Sequence, residues 1–119
     1  KILIIEDDEK LAQMLKIAFK MNNVRADYCI DGKEADQKIK SHYKDYNLII
    51  LDLMLPGMDG LKIAENIKKN KINVPIFILS ARNNRDDINQ AIKLGVSDYF
   101  VKPFSFSDLL EKVKGVLTV

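Results

Sequence analysis

Leu48-Ile49-Ile50-Leu51-Asp52 is the stretch on which the fold turns. Four apolar residues in succession, two of them β-branched, offer no polar face to water. Such a run suits a strand covered on both sides, as in a parallel sheet. It stops at a carboxylate, and Pro56-Gly57 mark the loop beyond it. Upstream, Ile2-Leu3-Ile4-Ile5 repeats the pattern, and Val24 to Ile30 alternates more weakly, as a strand at or near an edge would. Downstream come Val74 to Leu79, with Pro75 at its start, and the short run Tyr99-Phe100-Val101. Helical spacing fills the gaps. Asp8 caps a helix carrying Leu11, Met14, Leu15, Ala18 and Phe19, which Asn22-Asn23 ends. Asp31-Gly32 turns into a short helix with Ala35 and Ile39, and Gly60 to Lys69 carries Leu61, Ile63, Ala64 and Ile67. Asp86 to Leu94 is a helix closed by Gly95, and Ser107 caps a last helix through Leu109, Leu110, Val113 and Leu117. Five strands alternating with five helices predict an α/β fold, a single doubly wound five-stranded parallel sheet.

Length and composition bound the function. The 119 residues suit one domain with a core of its own. With 47% hydrophobic and 30% charged residues the balance is that of an ordinary globular chain. A net charge of +2 argues against nucleic acid or a membrane surface as the main partner. One cysteine, Cys29, excludes an internal disulfide and suits a reducing, cytoplasmic setting. No signal peptide is visible, and no apolar run approaches the ~20 residues of a membrane span. The chain begins at Lys1 without Met and reads as one domain, 1–119, either a stand-alone unit or a piece of something longer, with no output domain in this chain.

In doubly wound sheets, sites form beyond the carboxyl ends of the strands, at a topological switch point. Those ends carry Glu6, Asp7 and Asp8 after the first strand, Asp52 after the third, Ser80 after the fourth and Lys102 after the fifth. Clustered carboxylates repel one another, and a hard divalent cation relieves that cost. Oxygen ligands suit Mg²⁺, and no His or Cys lies at these ends for a softer metal. Asp52, ending a buried strand, can act as a nucleophile toward phosphorus, with Lys102 and Ser80 answering phosphoryl oxygens. Taken singly, each residue has an ordinary structural explanation: a solvated acid, a strand-end hydroxyl, an exposed amine. Together they meet the requirements of phosphoryl transfer to a carboxylate.

ILIIEDDEKL, LIILDLMLPGMDG, PIFILSAR and GVSDYFVKPF carry the remainder. Through them the chain resembles, over its whole length, the receiver (CheY-like) domain of two-component response regulators. The resemblance implies a flavodoxin-like sheet of strand order 2-1-3-4-5. It implies that Asp7 contacts Mg²⁺ directly, Glu6 through water, and Met54 through its backbone carbonyl. It makes Asp52 the phosphoacceptor, Ser80 the conserved hydroxyl, Tyr99 the switch aromatic and Lys102 the invariant lysine, before a Lys102-Pro103 bond that is usually cis. The implied donor is a phosphohistidine on a sensor histidine kinase. The protein itself would be no enzyme beyond its own phosphorylation and dephosphorylation. On phosphorylation Ser80 would move toward the phosphoryl group and Tyr99 would rotate inward, reshaping the face built from the Asp86–Leu94 helix, the fifth strand and the last helix. Met54 and Arg82 stand where the family tunes hydrolysis, and neither orients a water well, so slow-to-moderate dephosphorylation is expected.

SAR, SDY and KPF look like the OmpR/PhoB subfamily, whose regulators bind DNA through an output domain. Its members often dimerise through the same face. Asp98 and Lys112 match one ion pair and Asp108 half of another, but Ile88 and Lys93 break the set, leaving Ile88 and Ile92 as an apolar substitute. His42 reads as a surface residue, Cys29 as a small apolar side chain, and Lys62, Lys68, Lys69 and Lys71 as a solvated face. Three rivals are a haloacid-dehalogenase-like phosphatase, a flavodoxin-like cofactor binder and an interaction module that needs no phosphorylation. The first wants an acid where Met54 stands, the second a phosphate loop where Glu6-Asp7 stands, and the third leaves a complete acceptor set unused.

Overall fold

The computed structural model describes residues 1–117. The strands are β1 (Ile2–Ile5), β2 (Ala26–Cys29), β3 (Leu48–Leu51), β4 (Ile76–Ser80) and β5 (Asp98–Val101). The helices are α1 (Glu9–Met21), α2 (Gly32–His42), α3 (Gly60–Lys69), α4 (Arg85–Lys93) and α5 (Phe106–Leu117), with a 3₁₀ turn at Tyr43–Asp45. All strand pairs are parallel, in the order β2-β1-β3-β4-β5. The sequence-predicted fold class and strand order both stand.

The strand alternation divides the core into two layers. Leu3, Ile5, Ile49, Leu51, Ile76 and Ile78 face α2, α3 and α4, meeting Ala35, Ile39, Ile63, Ala64, Ile67 and Ala91. Ile2, Ile4, Leu48, Ile50, Phe77 and Leu79 face α1 and α5, meeting Leu15, Phe19, Leu109 and Val113. Every residue of β1 and β3 is buried, which is why neither strand shows an apolar–polar alternation.

Element ends follow local chemistry. Asp8 caps α1 by accepting from the Leu11 N–H at 3.2 Å. Gly95, at φ +85°, terminates α4 in the left-handed conformation that glycine adopts without strain. Several boundaries differ from the sequence reading; β5 begins at Asp98 rather than Tyr99, and α4 runs Arg85–Lys93 rather than Asp86 to Leu94. β2 is shorter than Val24 to Ile30, because the Val24 N–H bonds back to the Phe19 carbonyl and belongs to the end of α1. β4 begins at Ile76 rather than Val74 and includes Ser80. Ser105, not Ser107, caps α5: its Oγ accepts from the Asp108 N–H at 3.3 Å. Among the described residues no helix is long and apolar enough to cross a membrane.

Candidate functional site

The parallel ladder runs one residue past the strands, and this builds the site. The Glu6 N–H bonds the Cys29 carbonyl at 3.0 Å, and the Asp52 N–H bonds the Ile5 carbonyl at 2.9 Å. The Lys102 N–H bonds the Ser80 carbonyl at 2.9 Å. Three side chains far apart in sequence are thereby fixed on one edge of the sheet, at the switch point where the chain leaves β1 for strands on either side. The Lys102 Nζ lies 2.6 Å from the Glu6 Oε1 and 2.8 Å from the Asp52 Oδ2. Both carboxylates are almost wholly buried, at 2% exposure for Glu6 and 3% for Asp52, while Asp7 is exposed. The remaining oxygens are held by the backbone: Asp52 Oδ1 accepts from the Met54 N–H at 3.0 Å, and Glu6 Oε2 from the Asp8 N–H at 3.1 Å.

Burial is the largest influence on the Glu6 carboxyl, pushing it up to about 7, and nearby Asp52 adds to the rise. The Lys102 ammonium and the Asp8 N–H pull the other way. Burial opposes the charge on Lys102, but its bonds to Asp52 and Glu6 outweigh that and raise its affinity for a proton. Each of Glu6, Asp7 and Asp52 offers a carboxylate oxygen within 4.8 Å of the others'. Three acids set against one ammonium leave uncompensated negative charge, and the donors are all hard oxygens. Such a set fits a hard divalent cation such as Mg²⁺.

Ser80 is fully buried, and its Oγ accepts from the Arg82 N–H at 3.3 Å. That bond uses a lone pair and leaves the hydroxyl proton available to an incoming oxygen. Tyr99 is half-buried against the α2–α4 layer, and its hydroxyl donates to the Arg82 carbonyl at 2.6 Å. That bond ties the Tyr99 hydroxyl to the connection between β4 and α4. The Met54 side chain is exposed, so its backbone alone reaches the site. The Lys102-Pro103 bond is cis. Cys29 is buried and His42 exposed, as expected. On α4, Ile92 is exposed and Ile88 partly so; Asp108 and Lys112 are exposed on α5, and Asp98 is half-buried in β5.

The sequence reading missed one contact. Arg82 reaches across to Asp59, the cap of α3, with a 2.7 Å bond from Nη2 to Oδ1. Asp59, which the sequence reading did not name, could have been found as a cap from its place before an apolar helix, but nothing local signals its partner.

Comparison with known proteins supplies a frame for this geometry. Residues 2–114 match the family model described as "Response regulator receiver domain". The chain is 38% identical over 117 residues to the response regulator ArlR of Staphylococcus aureus, covering 98% of this chain and 52% of that protein. It thus spans about half the length of the curated relatives it matches. Among solved structures it is similar to the receiver domain of the Francisella response regulator 1452, with TM-score 0.90 and 35% identity, covering 97% of this chain and 93% of that one. It is also similar to a CheY-like receiver domain protein from Methanospirillum hungatei, with TM-score 0.91 and 25% identity, covering 98% and 92%.

Proposed function

The chain belongs to the response regulator receiver domain family, and from that premise we propose that it accepts a phosphoryl group on Asp52 from a sensor histidine kinase. The observation that carries this reading is the buried Asp52 carboxylate, held at 2.8 Å by a lysine from another strand end and backed by two more acids. Glu6, Asp7, Asp52 and the backbone carbonyl of Met54 are the groups that would hold Mg²⁺. When bound, that ion neutralises charge on phosphoryl oxygens.

The protein's own groups do the rest. The Met54 N–H and Lys102 fix the plane of the Asp52 carboxylate. One of its oxygens bonds to phosphorus as the phosphorus–nitrogen bond of the phosphohistidine breaks, and the electron pair of that bond leaves on the imidazole. Lys102 can turn from Asp52 toward a phosphoryl oxygen without leaving Glu6, 2.6 Å away. The Ser80 hydroxyl has its proton to give to another oxygen. The phosphoryl group brings up to about two negative charges. Their pull on Ser80 and Lys102 is communicated to Tyr99 through the Arg82 peptide, and so to the α4–β5–α5 face. That face would serve a homodimer, with the exposed Ile92 as its apolar element. In the whole protein the domain would act in the cytoplasm on an output domain, a DNA-binding one if the OmpR/PhoB-like motifs hold. Hydrolysis of the acyl phosphate would be slow to moderate, since the exposed Met54 and the engaged Arg82 position no water.

Acetyl phosphate with Mg²⁺ should add one phosphoryl group to the wild type and none to Asp52→Asn or Asp52→Ala, read by intact mass. Equal labelling of all three would refute the assignment.

A further inference from the structure

Arg82 lies in the short connection between β4 and α4, among exposed Ala81, Asn83 and Asn84. The connection has no apolar side chain sunk in the core to fix it. Its anchor is polar. The Arg82 guanidinium bonds Asp59 Oδ1 at 2.7 Å, and its Nε lies 4.0 Å from Asp87 Oδ2. Asp59 is a firm post: its other oxygen, Oδ2, accepts from the Leu61 N–H at 3.0 Å to cap α3. The next residue, Gly60, bonds the Leu53 carbonyl at 3.0 Å and packs so closely that a Cβ there would run into the Asp52 carbonyl oxygen. The post is therefore fastened to the backbone of Asp52 itself. At the other end, the two polar groups of the Arg82 backbone hold two hydroxyls: N–H to Ser80 Oγ at 3.3 Å, and carbonyl from Tyr99 at 2.6 Å.

We propose that the Arg82–Asp59 ion pair is a positioning device that fixes the Ser80 and Tyr99 hydroxyls relative to Asp52, making Arg82 and Asp59 determinants of how tightly the site holds a phosphoryl group. The reasoning rests on the phosphoryl-acceptor reading above. With the guanidinium anchored, residue 82 keeps its N–H on the Ser80 oxygen, so the hydroxyl proton points away from its own loop. Without the anchor, the exposed connection gains freedom, and both hydroxyls lose a fixed partner. The pair is partly exposed, at 29% for Arg82 and 43% for Asp59, so its effect is modest.

The test uses the whole chain with Asp59→Asn, which keeps an oxygen for the α3 cap, and Arg82→Met, which keeps the apolar stem. Affinity for beryllofluoride in Mg²⁺, a phosphoryl mimic, should fall about two- to fivefold in each. The double variant should be no weaker than the poorer single one, and Arg82→Lys should recover part of the loss. Amide exchange at Arg82, Asn83 and Asn84 in the unliganded protein should quicken in both single variants. Unchanged affinity in both, or losses that multiply in the double variant, would overturn the proposal. Should the wild type not bind beryllofluoride at all, the phosphoryl reading fails instead. Amide exchange then decides the anchoring alone, and unaltered rates in both variants would overturn it.

Discussion

Replacing Lys102 by Met keeps the length of the side chain and removes its charge. Two carboxylates at 3% and 4% side-chain exposure then face each other without the ammonium that lies 2.6 and 2.8 Å from them. Removing one partner of a buried ion pair costs about 3–5 kcal/mol, because the surviving charge stays buried and unpaired. Three circumstances lower that figure here. Glu6, already pushed up to about 7, takes up a proton more readily once the ammonium is gone. Lys102 is itself 23% exposed, so water reaches its place. The Asp8 and Met54 N–H groups also continue to solvate one oxygen of each carboxylate. A loss of about 2–4 kcal/mol is expected without divalent cation, roughly 10 °C in midpoint for a domain of this size. Urea unfolding followed by circular dichroism measures it. Adding Asp52→Asn to Lys102→Met removes one of the opposed charges and should recover a substantial part of the loss. A Lys102→Met protein within about 0.5 kcal/mol of wild type would refute the reasoning, as would a double variant no more stable than the single one.

Other expectations follow from the same geometry. Burial first, and then the neighbouring Glu34, push the Cys29 thiol up to about 11. An aromatic disulfide reagent at neutral pH should therefore label the native protein far more slowly than the urea-unfolded one; equal rates would contradict the burial. Burial opposes the charge on Asp27, but the Tyr46 hydroxyl at 2.7 Å and Lys1 outweigh it, so the carboxyl lies below its ordinary range. A depressed acid stabilises above its unfolded pKa and loses that contribution as pH falls through the folded one. Tyr46→Phe should thus cost about 0.5–1.5 kcal/mol at neutral pH and less in acid, as paired urea melts would show. Gly60→Ala forces a Cβ onto the Asp52 carbonyl oxygen and should lower stability by about 1–3 kcal/mol while slowing phosphorylation; an unperturbed variant would mean that the loop yields freely.

The strands were legible because Ile2–Ile5 and Leu48–Leu51 are buried on both faces and carry no polar residue to confuse the period. Their ends were less so. Val24 looks like strand, yet Asn23 at φ +66° turns the chain and returns the Val24 N–H to α1. Ser105 and Ser107 both precede the apolar positions of α5, and composition alone does not choose between them. In the site, the acids, hydroxyl and lysine could be placed at strand ends from sequence. Which of Glu6 and Asp7 is buried could not. That depends on the ladder bond from the Glu6 N–H to Cys29, which fixes Glu6 at the edge of the sheet. The Arg82–Asp59 pair joins residues 23 apart through two loops, so no local pattern announces it.

Borohydride reduction of the freshly phosphorylated protein, followed by peptide mass spectrometry, tests the central claim most directly. The reagent converts an acyl phosphate to an alcohol and spares free carboxylates. The account predicts the reduced residue at position 52 alone, in samples given both phosphodonor and Mg²⁺. Reduction at Glu6, Asp7 or another acid, with Asp52 untouched, would contradict it.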